Sequence, residues 1–154
     1  MKKVKMLCFD MDGTIADLYH VPDWLNKLDA CDPSPYTDAR PLWDMTKLVE
    51  ALTALNIEVR IISWLSKSSK SKAYDDEVRK AKIDWLRKYN FPFTKCHIVR
   101  YGATKADSVR KVLDEDEMAI LFDDNRKVRN GWTLGATVDP TQVDIIEYIK
   151  GLAD

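Results

Sequence analysis

Apolar and polar residues fall into alternating blocks along the chain. Val4 to Phe9 is a short, largely apolar run without helical spacing, closed by Asp-Met-Asp-Gly, and it reads as a strand buried on both faces. The next stretch, to about Arg40, is less regular; it holds a short helix near Asp23–Leu28 opened by Pro22, then the breaker-rich Asp32-Pro33-Ser34-Pro35. From Pro41 the pattern becomes helical, with Leu42, Met45, Val49, Leu52 and Leu55 recurring at three- and four-residue steps and Asn56 as the cap. Ile57 to Ile62 is a second strand with Ser63 at its end. A Lys/Ser loop over Ser66–Lys72 leads into a helix to Tyr89, whose apolar face carries Val78, Ala81, Trp85 and Tyr89. The remaining blocks predict a strand over Cys96–Val99, a helix over Lys105–Leu113, a strand over Met118–Phe122, and a short helix over Arg126–Gly131. A strand near Leu134–Val138 and a helix over Thr141–Leu152 complete the series.

Strands separated by helices require parallel pairing with crossover connections. The expected fold class is therefore α/β: an open, doubly wound parallel sheet, one domain over residues 1–154. Ligands on such sheets bind beyond the C-terminal strand ends, where the strand order reverses.

Composition narrows the classes of function. The chain is 45% hydrophobic and 32% charged, with a formal net charge of −1, which gives no case for non-specific attachment to nucleic acid or membrane. Its three cysteines match no zinc spacing. The basic start is followed by too short an apolar stretch for a signal peptide, and no run approaches a membrane span. The expectation is a soluble, reduced, cytoplasmic protein without a membrane partner.

The chemistry gathers at strand ends. The first strand ends in Asp10-Met11-Asp12-Gly13-Thr14, the second in Ser63, and the fourth in Asp123-Asp124-Asn125. If the first and fourth strands are neighbours, Asp10, Asp12 and Asp123 converge, and carboxylates so placed repel one another unless a cation lies between them. Oxygen-only ligands favour a hard ion, most simply Mg²⁺. The plainer readings are turn-capping carboxylates, an ordinary strand-end hydroxyl at Ser63, and a cap role for Asp124.

Asp10-Met11-Asp12-Gly13-Thr14 resembles the first motif of the haloacid dehalogenase (HAD) superfamily, the Mg²⁺-dependent aspartyl phosphotransferases. Ser63 resembles its second motif, a helix-leading lysine (Lys105, with Lys95 as competitor) its third, and Leu121-Phe122-Asp123-Asp124-Asn125 its acidic fourth. The resemblance implies Asp10 as nucleophile, Asp12 as general acid/base, and Asp10, Asp12 and Asp123 around the metal, Asp12 through its main-chain carbonyl. Ser63 and Lys105 would hold phosphate, with Thr14 and Asp124 in support. Asp at the second acidic position is similar to the phosphatases of the superfamily. The segment Asp10–Asp17 and the Asp123–Arg126 sequence also resemble its 5′(3′)-deoxyribonucleotidases.

The family resemblance implies a cap, and residues of about 15–40 leave room for a small one. Tyr19, Trp24 and Tyr36 in it, and Trp43 just after it, either stack on a nucleobase or pack the cap onto the body; packing is the plainer reading. Trp64, next to Ser63, and Tyr19 are candidate substrate-lining residues. The expected activity is phosphomonoester hydrolysis, preferably of a nucleotide, with a polynucleotide end or a phosphoprotein as alternative. A non-catalytic phosphate-binding or phosphoacceptor module is the rival of another class.

Overall fold

The computed structural model describes all residues 1–154. β1 (Lys3–Phe9) is the central strand of a five-stranded sheet. After it come the two-residue β2 (Ala16–Asp17), α1 (Trp24–Asp29), α2 (Ser34–Asp38) and β3 (Arg40–Pro41). Then follow α3 (Met45–Leu55), β4 (Glu58–Trp64), α4 (Lys72–Lys88), β5 (Lys95–Val99), β6 (Glu117–Phe122), α5 (Arg126–Asn130), β7 (Thr137–Val138) and α6 (Ile145–Gly151). The sheet order is β5-β4-β1-β6-β7, with every pairing parallel. This is the expected doubly wound α/β sheet.

Alternation along β1 builds both faces of the sheet. Leu7 and Phe9 join Val59, Ile61, Ile120 and Phe122 under α3, α6 and part of α4. Met6 and Cys8 point the other way, into a smaller core with Ile62, Ala106, Val109 and Trp132. Phe9 and Phe122, register partners on adjacent strands, stack with ring centroids 4.4 Å apart. Covering both faces is what lets β1 be apolar throughout its inner half.

Four expected elements differ in detail. Pro41 does not open a helix: Arg40–Pro41 pairs antiparallel with Ala16–Asp17, and α3 starts at Met45, where the Asp44 carboxylate accepts from Lys47 N–H at 3.2 Å. A side-chain cap satisfies an orphan N–H and so outcompetes the start that Pro41 suggested. The expected helix over 105–113 is two 3₁₀ turns, Lys105–Ser108 and Arg110–Val112. The last helix begins at Ile145 because Asp144 caps it, accepting from Ile146 and Glu147 N–H. The expected strand near 134–138 shortens to Thr137–Val138. The Ser34–Asp38 helix was not anticipated.

The residues between β1 and α3 lie over the C-terminal edge of the sheet and are tied to the body by side-chain donors. Trp43 Nε1 donates to Thr14 O (2.8 Å), Trp85 Nε1 to Ala39 O (2.7 Å), and Tyr74 Oη to Leu28 O (3.3 Å). Leu18, Leu28 and Tyr36 pack with Leu65, Tyr74 and Val78 in a third apolar cluster. No helix is long and apolar enough to cross a membrane.

Candidate active site

β1 and β6 are neighbours, so their ends bring Asp10 and Asp123 together at the point where the strand order reverses. The Asp10 N–H still continues the ladder, donating to Phe122 O at 3.0 Å. Beyond it the chain turns tightly: Thr14, Ile15 and Ala16 N–H all donate to Met11 O at 3.0–3.1 Å. Gly13 takes φ +82° in this turn. The turn swings Thr14 back under Asp10, where its Oγ1 donates to Asp10 Oδ2 (3.1 Å) and accepts from Asp124 N–H (3.2 Å). Thr14 thus joins the two acidic loops.

A Cβ on residue 13 would overlap the Asp124 carboxylate and press on the Tyr19 ring. Gly13→Ala is therefore expected to cost at least about 1 kcal/mol from the positive φ alone. Displacement of Asp124 should remove activity as well. Urea titration together with turnover would check both effects.

Lys105 supplies the charge that holds the acids. Its Nζ lies 2.9 Å from Asp10 Oδ1 and 2.7 Å from Asp123 Oδ2, with all three side chains almost fully buried. Burial works against the lysine charge, but Asp10 and Asp123 outweigh it and keep the Lys105 pKa above its usual value. The Lys105 ammonium also sits 5.3 Å from the centroid of the Trp64 ring. Lys95 opens β5 at the opposite edge of the sheet, facing solvent, so Lys105 is the lysine brought to the acids.

Asp10, Asp123 and Asp124 each offer a carboxylate oxygen within 4.8 Å of the others. Burial and the Asp10 carboxylate push the pKa of both Asp123 and Asp124 upward. The Asp12 carboxylate is not in this group, and Asp124 stands where the sequence reading placed it only in support. Asp12 instead pairs with Lys82, Nζ to Oδ2 at 3.0 Å. Burial raises its pKa, with Lys82 pulling the other way.

Lys82 is the residue that sequence reasoning missed. Its side chain is 1% exposed, and its ammonium donates to Asp12 Oδ2, Ser63 Oγ (2.7 Å) and Trp64 O (2.8 Å), which uses all three protons. The Tyr36 ring closes over it at 4.7 Å. The signal was present: Lys82 falls on the buried stripe of α4, four residues after Val78 and three before Trp85. A lysine there needs a buried acceptor.

Ser63 is fully buried at the end of β4 and accepts from Lys82. Lys82→Met keeps the stem and removes the ammonium that orients Asp12. We expect kcat to fall about 10–100-fold, the usual range for losing a partner that orients an active group. Steady-state kinetics would check this.

A cavity of about 310 Å³ opens above the acids. Asp10, Asp12, Asp123 and Asp124 line it together with Lys105, Lys67, Ser66, Ser68 and Asn125, and Tyr19, Trp24, Tyr36 and Trp64 are among its other walls. Tyr36 is buried and Trp43 is tied to Thr14 O, so these two aromatics pack the segment onto the body. Tyr19 is half-exposed and leans edge-on against Trp24 at 5.2 Å.

No family model and no curated protein matches the sequence. Solved structures do share the fold. A chain of the Pnkp1/Rnl/Hen1 complex is similar at TM-score 0.60 and 15% identity, over 90% of this chain and 47% of that one. A structure of the Pnkp1/Rnl/Hen1 RNA repair complex gives 0.60 and 14%, over 90% and 44%. D,D-heptose 1,7-bisphosphate phosphatase from Burkholderia thailandensis gives 0.50 and 11%, over 94% and 98%. The chain therefore spans less than half the length of the RNA-repair chains and nearly all of the sugar phosphatase. The architecture is a Rossmann-like parallel α/β sheet, similar to that of these solved structures.

Proposed function

We propose that this protein is a Mg²⁺-dependent phosphomonoester hydrolase that works through an aspartyl phosphate on Asp10. The observation that carries the reading is the division of the carboxylates. Asp10, Asp123 and Asp124 face one point, while Asp12 is held apart by its own lysine. One group can then attack and another can move protons without the two competing.

The residues fit a divalent cation. Four carboxylates against Lys82 and Lys105 leave the site two charges negative when all are ionised. Asp10, Asp123 and Asp124 carboxylates would hold the ion, joined by the Asp12 carbonyl as the resemblance implies. When bound, it supplies Lewis-acid neutralisation of the phosphate dianion.

The chain's own residues then act in order. An Asp10 carboxylate oxygen attacks phosphorus, the ester P–O bond breaks, and Asp12 protonates the leaving oxygen. Asp12, now ionised, takes a proton from water as that water attacks the acyl phosphate. The P–O bond to Asp10 breaks and inorganic phosphate leaves. Lys105 faces the phosphoryl oxygens where charge accumulates, and Ser63, buried beneath the cavity, acts by holding Lys82. Thr14 fixes Asp10. Residues of about 15–40 serve as a small cap over a single hydrolase domain, and Tyr19, Trp24 and Trp64 offer faces for a planar leaving group. A nucleotide suits those walls best. The likeness to a heptose bisphosphate phosphatase supports phosphate-ester chemistry on this fold.

The test is phosphate release with Mg²⁺ across nucleoside monophosphates, sugar phosphates and a phosphopeptide, with Asp10→Asn as control. A chelator should stop release. Mg²⁺ at about 100 times its Kd should add about 2.7 kcal/mol of stability, and Asp123→Asn should erase that gain in thermal unfolding. Activity that persists in a chelator would contradict the metal assignment.

A further inference from the structure

The cavity above the acids does not end at Trp64. A second groove, about 410 Å³ in volume, adjoins it and shares Trp64, Tyr101, Lys105, Asn125 and Val128 with it. The loop after β5 forms one wall and α5 the other, with Lys127 and Trp132 at the far side. The ridge between the two spaces is the Trp64–Tyr101 pair, whose rings meet edge-on at 5.0 Å. Trp64 is pinned there, since its Nε1 donates to Ala103 O at 2.9 Å. Tyr101 is 48% exposed, so about half of its surface is open to a ligand.

The charge of this groove is opposite to that of the acid cluster. No Asp or Glu lines it, and both of its charged residues are lysines. Lys105 is already paired with Asp10 and Asp123. Lys127, by contrast, makes no ion pair and stays available to an anion. This acid-free groove lies beyond the space lined by Tyr19 and Trp24. A chain of repeating anionic units with flat rings would use it: an open aromatic face binds any base, and a lysine binds any phosphodiester. A peptide offers neither feature regularly.

We infer that the second groove holds the nucleotide unit next to the one bearing the scissile phosphate, so that the substrate is the phosphorylated end of a single-stranded oligonucleotide. The base of that unit stacks on Tyr101 and its phosphodiester meets Lys127. This inference rests on the phosphomonoesterase reading above and names the substrate of the same site.

The experiment compares kcat/KM for thymidine monophosphates and the matching dithymidylates, in a 3′-phosphate and a 5′-phosphate series. p-Nitrophenyl phosphate serves as a one-unit reference. In one of the two series the dinucleotide should exceed the mononucleotide by about tenfold, the scale of one stacked base. Tyr101→Ala should remove most of that advantage, and Lys127→Ala should remove the share its phosphodiester contact supplies while leaving p-nitrophenyl phosphate turnover unchanged. Equal values in both series, or a phosphopeptide preferred over both, would overturn the inference while leaving the hydrolase reading intact. In parallel, fluorescein-labelled, end-phosphorylated tetrathymidylates are titrated against Asp10→Asn and followed by anisotropy. Binding that weakens about tenfold when Tyr101→Ala is added, and measurably when Lys127→Ala is added, supports the groove even if no substrate turns over, which would sink only the hydrolase reading. Absence of binding in both series overturns the inference whatever the turnover.

Discussion

Asp10→Asn is expected to lower kcat by about 10⁴-fold or more with the fold intact, because it removes the proposed nucleophile. The surroundings accept the amide. Lys105 can still donate to the Asn oxygen, as it now does to Asp10 Oδ1. The amide nitrogen would face Thr14 Oγ1, a hydroxyl that can accept as readily as it donates. Removing one of the clustered carboxylates also relieves repulsion with Asp123 and Asp124. Stability in the absence of metal should therefore hold, and circular dichroism with urea titration would check it. A variant that retained a tenth of wild-type turnover would remove Asp10 from the chemistry.

Lys105→Met should be the most damaging single change to the fold at this site. Breaking a buried ion pair from one side costs about 3–5 kcal/mol, since the partner charge stays buried without compensation. Here the lysine serves two partners, Asp10 and Asp123, and its own side chain is 3% exposed. Activity should fall with stability, but the two losses separate when Mg²⁺ is added. The ion can compensate Asp10 and Asp123, so urea unfolding with Mg²⁺ should recover part of the stability. It cannot replace the ammonium proposed to face the phosphoryl oxygens, so turnover should stay low. Equal stability of Lys105→Met and wild type without metal would contradict the pairing.

The central sheet was legible because β1, β4 and β6 are short apolar runs closed by chemistry-bearing residues, and parallel pairing then leaves few orders. Asp10, Asp123 and Lys105 could be placed for the same reason: each sits at a strand end or the first turn after one. The segment over the sheet edge was not legible in detail. β2 and β3 are two residues each, too short to show a period, and Ser34–Asp38 is a single turn among prolines. Pro41 suits a helix start or an edge strand equally well, and only its pairing with Ala16 decides. The spacing of Lys82 with Val78 and Trp85 points to a buried lysine in α4, but the sequence does not show which acceptors would hold it. Ser63 and Trp64 O come from the end of β4 and Asp12 from the loop after β1, and only the tertiary fold assembles them around it.

The claim that everything else depends on is the acyl phosphate on Asp10. It can be trapped directly: borohydride added during turnover reduces an acyl phosphate to an alcohol and leaves homoserine in place of the aspartate. Peptide mass spectrometry should find homoserine at position 10 only when Mg²⁺ and a phosphomonoester substrate are both present. Steady phosphate release with residue 10 recovered as unmodified aspartate, or homoserine at Asp12 or Asp123 instead, would contradict the account.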